Sequence, residues 1–183
     1  MSRQCRDLET DRKNGANAER RFIAWCTERG YATHALQIGR SKSAAIGLEG
    51  KRLIAPDVVI WHPTRGCMLH EIKRKYPTYH GLFGLEEYRF QSLYALSGIM
   101  DVWYTIYLHA DTEKAQRNID RANKKYDMHL SAGVWLTANI TNLVPPDKRK
   151  TGTSWRNSQR SEEMIYYWTP KQFTVITTQP HTP

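Results

Sequence analysis

Asp57, Glu71 and Lys73 are the residues whose types and spacing could do chemistry together. They lie in one apolar stretch, APDVVIWHPTRGCMLHEIKRK, spanning residues 55–75. Val58 to Trp61 and Cys67 to Lys73 read as two strands, and Pro63-Thr64-Arg65-Gly66 supplies the turn between them. Side chains alternate along a strand, so Glu71 and Lys73 share a face. Ionisable groups in apolar surroundings are costly unless they pair with one another or bind a metal. Two carboxylates and a lysine at the waist of such a hairpin require one of those arrangements.

Asp57 joins the other two only if residues paired across the hairpin have numbers of matching parity. That demands a connection of odd length, most simply Pro63-Thr64-Arg65 or Pro63 to Cys67, unless a bulge intervenes. A two-residue turn at Thr64-Arg65 would place Asp57 on the wrong face, and its primed geometry needs positive φ, which those residues suit poorly. An odd loop is expected.

Pro56-Asp57 followed by Glu71-Ile72-Lys73 resembles the signature of the PD-(D/E)XK nuclease superfamily. The resemblance implies a bent hairpin holding Mg²⁺, with Mn²⁺ as substitute, between Asp57 and Glu71 with the Ile72 carbonyl, and Lys73 beside the attacking water. It implies DNA as the substrate and a 5′-phosphate product. It also implies a restriction-endonuclease-like α/β core, a mixed central sheet flanked by helices in the order α-β-β-β-α-β. The run Gly15 to Arg20 is similar to the opening of Holliday-junction-resolvase-like and phage-type members, which assigns Glu19 to the metal site. Glu19 precedes Phe22 and Ile23 by three and four residues and so shares their inward face. A first-turn glutamate favoured by the helix dipole accounts for it equally.

The chain has 183 residues, enough for one domain with a sizeable core. Lys and Arg number 27 against 18 Asp and Glu, a formal charge of +9 that favours a polyanionic partner. Cys5, Cys26 and Cys67 form no CxxC pair, which suits free thiols rather than a zinc site. No apolar run approaches a membrane span and the polar start is unlike a signal peptide, so a cytoplasmic protein is expected. No glycine-rich phosphate loop or nucleophile elbow is present.

The elements that must position the three residues follow in order. Residues 1–13 read as a frayed lead-in, then a helix from Asn14 to Arg29 carries Phe22, Ile23, Trp25 and Cys26 and stops at Gly30. Tyr31 to Ile38 reads as a strand, and the segment after it as a flexible loop or short ribbon. After the hairpin, a helix from Glu86 to Ser97 (Phe90, Leu93, Tyr94, Leu96) leads to a strand at Asp101–Leu108. A right-handed crossover makes that strand parallel to Cys67–Lys73. Gln91 lies on this helix, where some superfamily members keep a glutamine near the metal, followed four residues on by a tyrosine. Here Tyr94 follows by three. His62 and His70 are expected to face each other on the side away from the carboxylates, in structural roles.

The core is expected over residues 15–108, with an extension over 109–183. In the extension, residues 111–125 read as a helix carrying Ala115, Ile119 and Ala122, and residues 133–136 and 163–168 as strands. Candidate phosphate contacts are Arg40, Lys42, Lys51, Arg74 and Lys75. The flexible basic loop 145–160 adds Lys148, Arg149, Lys150 and Arg156, with Trp155 for base stacking or for plugging the core.

Two functions follow. The first is a Mg²⁺-dependent endonuclease in which the metal polarises the phosphate and Lys73 orients water and offsets developing charge. A structure-selective resolvase of this size would have to be a homodimer to cut two strands symmetrically. The second is a basic nucleic-acid-binding module without catalysis, binding in a salt-sensitive, metal-independent way. Acids on an otherwise positive surface repel phosphate unless a cation stands between, which favours the first.

Overall fold

The computed structural model describes residues 3–36, 45–48, 50–144, 150–156 and 159–176. Helix α1 runs Arg3–Glu28. It therefore starts well before Asn14, and residues 3–13 of the expected frayed lead-in are helical. No proline or cap interrupts residues 3–14, most of them are straight-chain helix formers, and Lys13 bridges back to Glu9 at 3.0 Å. Gly30, at φ 77°, ends the helix as expected.

The strands are β1 (Ala32–Ala35), β2 (Ala45–Leu48), β3 (Lys51–Ile54), β4 (Val58–His62), β5 (Gly66–Lys75) and β6 (Phe83–Glu86). Helix α2 (Glu87–Leu96) crosses over to β7 (Asp101–Leu108), and α3 (Glu113–Tyr126) leads to β8 (Trp135–Asn139). β9 (Lys150–Arg156), β10 (Gln159–Trp168) and β11 (Thr174–Ile176) complete the described strands. The main sheet has the order β1-β4-β5-β7-β8-β11. β5 and β7 are parallel, and every other neighbouring pair in it is antiparallel. The result is the mixed α/β sheet expected, with the α2 crossover making the parallel pair. β2 and β3 form a separate ribbon, and β6-β10-β9 a second small sheet.

The β4–β5 register settles the parity. Trp61 faces Cys67 and His62 faces Gly66, leaving the odd loop Pro63-Thr64-Arg65. His62 Nδ1 accepts the Thr64 N–H at 3.2 Å, and Gly66 takes φ 75°, so imidazole and glycine together close the turn. In this register His70 pairs with Val58, so the two histidines do not face each other as expected. His70 instead lies under α1, its Nδ1 bonded to Thr105 Oγ1 at 2.9 Å, and burial lowers its pKa to about 3.

Alternation then assigns the two faces of the sheet. Val58, Ile60, Met68 and Ile72 pack under α1 against Ala18, Phe22 and Cys26. Val59 and Leu69 point the other way, into a larger core with Phe90, Leu93 and Leu96 of α2, Ile119 and Ala122 of α3, and Tyr166 and Trp168 of β10. Tyr94, expected on the buried stripe of α2, is 53% exposed and stacks on Phe90.

The expected flexible loop over 145–160 is in part a hairpin. Residues 145–149 and 157–158 lie outside the described residues, while 150–156 pair with 159–165. Thr151, Thr153 and Trp155 alternate with small residues, a pattern with enough β propensity to extend the strand expected only from Glu163. Through β10 this hairpin docks on β6, beside the start of α2. Gly84 makes the docking possible: a Cβ there would meet Ile165 and Tyr167 at 2.8 Å.

Candidate active site

Asp57 stands one residue ahead of β4 and, by continuation of the register, opposite Glu71. Its N–H donates to the His70 carbonyl at 3.0 Å, and its carbonyl accepts the Leu36 N–H at 2.8 Å. The carboxylate turns back to the next strand, where Oδ2 accepts the Ile72 N–H at 2.7 Å. One residue's N–H and C=O leave a strand on the same edge, so the Ile72 carbonyl lies on Asp57's side of β5.

Glu71 is fully buried. Its Oε1 accepts Arg89 Nη1–H at 2.7 Å and pairs with Lys73 Nζ, while Oε2 is buried with no partner. Lys73 Nζ also stands 3.8 Å from Asp57 Oδ2, and 25% of its side chain reaches solvent. The structure thus brings together the three residues expected to converge. Glu19 approaches from α1, half-buried, with its Oε2 buried and unpartnered.

Electrostatically the cluster carries more acid than base. Burial, and then the neighbouring Glu71 charge, raise Asp57 to about 6 against the pull of Lys73 and the Ile72 N–H. Burial, Asp57 and Glu71 raise Glu19 to about 7, with Lys73 opposing. Burial alone would lower the pKa of Lys73, but Glu71 and Asp57 outweigh it and hold the ammonium charged. The same balance keeps Arg89 protonated. The buried, unpartnered Oε2 of Glu71 beside the Asp57 carboxylate is a pair of oxygen donors suited to a divalent cation.

Among the described residues no three His, Cys, Asp or Glu side chains converge closely enough to hold a metal by themselves. Glu19 therefore feels the other two carboxylates without joining them in a single ligand cage. The donor set that fits a hard cation is Asp57, the free oxygen of Glu71 and the Ile72 carbonyl, with water completing the shell.

Gln91 is not part of the cluster: it is exposed and donates to Glu87 Oε1 at 3.1 Å, one turn back on α2. The α2 side chain that reaches the cluster is Arg89, missed in the sequence although Leu93 and Leu96, four and seven residues on, mark its stripe as buried. Lys75, expected at a phosphate, is instead drawn inside with Glu71 and Lys73 by strand alternation. It donates to the Gly84 carbonyl at 2.5 Å, and burial lowers its pKa despite the nearby Glu86. Arg74, on the opposite face, pairs with Asp111. Lys51 begins β3, and Lys150, Trp155 and Arg156 belong to β9. Arg40, Lys42, Lys148 and Arg149 lie outside the described residues.

The raised carboxylates make stability depend on pH. Glu19 ionises in the unfolded chain near 4.5 but in the folded chain near 7, so stability falls as pH rises through that window. Glu19→Gln should leave the melting temperature unchanged at pH 5. At pH 8 it should raise it by several degrees, corresponding to about 1–2 kcal/mol after discounting for partial exposure. Thermal melts at the two pH values in EDTA check this; equal shifts at both would refute it.

No family model matches the sequence, and no curated protein matches it. Among solved structures the chain is similar to a Holliday junction resolvase from the archaeal hyperthermophile Archaeoglobus fulgidus. The TM-score is 0.45 and the identity 13%, covering 82% of this chain and 86% of that one.

Proposed function

We propose that the protein is a metal-dependent deoxyribonuclease that hydrolyses phosphodiester bonds at Asp57, Glu71 and Lys73. The observation that carries this is the convergence of two buried carboxylates and a lysine across one hairpin, with Glu71 Oε2 buried and unpartnered. Asp57 and Glu71, with the Ile72 carbonyl, would hold Mg²⁺ or Mn²⁺. The ion, when bound, supplies positive charge to the scissile phosphate and acidifies a water.

The chain's own residues do the rest. Asp57, held by the Ile72 N–H, presents a fixed carboxylate without reorganisation. Lys73, kept protonated by Glu71 and Asp57 yet partly exposed, donates hydrogen bonds to water or to a non-bridging phosphate oxygen as negative charge accumulates. Arg89 fixes the rotamer of Glu71 through Oε1 and so leaves Oε2 available. Glu19, poised near neutrality, can take or give a proton to a water next to Asp57.

DNA as substrate, a 5′-phosphate product and selectivity for branched junctions follow from the resemblance of Pro56-Asp57, Glu71-Ile72-Lys73 and Gly15–Arg20, and a junction resolvase would act as a homodimer. A cytoplasmic location suits free Cys26 and Cys67, and no described helix is long and apolar enough to cross a membrane. The second reading is a non-catalytic basic nucleic-acid-binding protein. It is favoured by the double pairing of Glu71 with Lys73 and Arg89, which satisfies one of its oxygens without metal.

Cleavage assays on duplex, single-stranded, flap and four-way DNA separate the two readings. The nuclease cuts at least one of them with Mg²⁺ or Mn²⁺ and stops in EDTA. Binding without cleavage on every substrate, at equal affinity with and without divalent ions, supports the second reading.

A further inference from the structure

On the face of the sheet opposite the carboxylates, a cavity of about 190 Å³ opens between α1 and the ends of β5 and β7. Asn14, Asn17 and Arg21 of α1 line it on one side, and Arg74, Tyr107 and Asp111 on the other. Arg21 is exposed, yet its guanidinium is already aimed: Nη1 donates to Tyr107 Oη at 2.7 Å and Nε to Asn17 Oδ1 at 3.3 Å. These bonds engage two of its five N–H donors and orient the fork. Arg74 has only 16% of its side chain exposed and is paired with Asp111, whose own side chain is 58% exposed. Arg74 is adjacent in sequence to Lys73, so the cavity and the carboxylate cluster sit back to back across one strand.

The α1 residues at this cavity are poor choices for a helix. Asn14, Gly15 and Asn17 lie in the middle of a 26-residue helix. Asparagine competes for backbone bonds there, and glycine costs about 0.5–1 kcal/mol relative to alanine. Packing does not require the glycine, since a Cβ at Gly15 would meet nothing within 4 Å. Gly15 lies one turn before Glu19, on the stripe next to Asn14, Ala18 and Arg21. Residues that oppose their own element without a packing reason point to something outside the chain.

We propose that this cavity binds a phosphate of a nucleic-acid strand, with Arg74 exchanging Asp111 for the phosphate and Arg21, Asn14 and Asn17 closing on its remaining oxygens. Guanidinium groups suit this because their forked donors match phosphate oxygens. Asp111 acts as a stand-in anion that keeps Arg74 extended and desolvated until the strand arrives. The assignment rests on the nucleic-acid reading above, but not on catalysis.

The test is equilibrium binding of four-way and duplex DNA in EDTA, across a salt series, so that cleavage cannot enter. Arg21→Gln should weaken binding by ~3–10-fold on both DNAs and reduce the slope of log K against log salt by about 1. Asp111→Asn should tighten binding, and do so more than Asp120→Asn, a control of equal charge change at an exposed site on α3. Melting temperatures confirm that the variants are folded. An unchanged slope for Arg21→Gln overturns the proposal, as does equal tightening by Asp111→Asn and Asp120→Asn. Binding that follows these expectations in a protein that never cleaves would sink the nuclease reading alone. A wild-type chain that binds no DNA would sink both.

Discussion

Lys73→Ala is expected to reduce metal-supported DNA cleavage by ~10²–10³-fold, the usual cost of removing one positioned donor to developing charge. Affinity for DNA in EDTA should stay within about threefold of wild type, because one phosphate contact among several is a small share of the electrostatic term. The split between rate and binding is the informative part. Lys73 Nζ pairs with Glu71 Oε1 and stands 3.8 Å from Asp57 Oδ2, so its charge belongs to the carboxylate cluster first and to the DNA surface second. A lysine that served only to grip the backbone would lose affinity and keep its turnover. Single-turnover cleavage with enzyme in excess, beside a gel-shift titration, measures both. Retained cleavage would remove Lys73 from the chemistry.

Arg89→Leu should be the most destabilising single change near the site. It leaves Glu71, fully buried, paired with Lys73 but without its second cation. Breaking a buried pair from one side costs about 3–5 kcal/mol, and the surviving lysine brings the expectation to ~2–4 kcal/mol. At the usual ~2–4 °C per kcal/mol for a chain of this size, the melting temperature should fall by ~5–15 °C. Glu71→Gln in the Arg89→Leu background should recover much of the loss, since no charge is then left uncompensated. A double-mutant cycle isolates the coupling. Additive effects would mean that the 2.7 Å contact contributes nothing, and Glu71 would need another explanation for its position.

The cluster also explains why pairing alone does not satisfy the site. Lys73 and Arg89 both address Glu71 Oε1, whereas Glu71 Oε2 and Glu19 Oε2 remain buried without partners. A purely structural ion-pair network would distribute its donors over the available oxygens. Arg89 is thus a positioning residue in the proposed nuclease: it neutralises Glu71 on one side and leaves the other for a cation.

Local pattern was enough to reveal much of this protein. Period-two alternation and the chemistry of Pro63-Thr64-Arg65 put Asp57, Glu71 and Lys73 on one face, because strand geometry has only two faces and loop parity chooses between them. Gly30, the α2 crossover and the parallel β5–β7 pair were legible for the same reason, each depending on residues close in sequence. Tertiary structure alone decided which inward side chain of α2 meets Glu71, admitting Arg89 and leaving Gln91 in solvent. It alone drew the half-buried Lys75 to the Gly84 carbonyl and turned Arg74 to Asp111 on the far face. Those outcomes depend on contacts between residues up to tens of positions apart, where the same lysine or arginine reads equally well as surface or core. Charge shows in composition; the partner of a charge is fixed only when distant elements close around it.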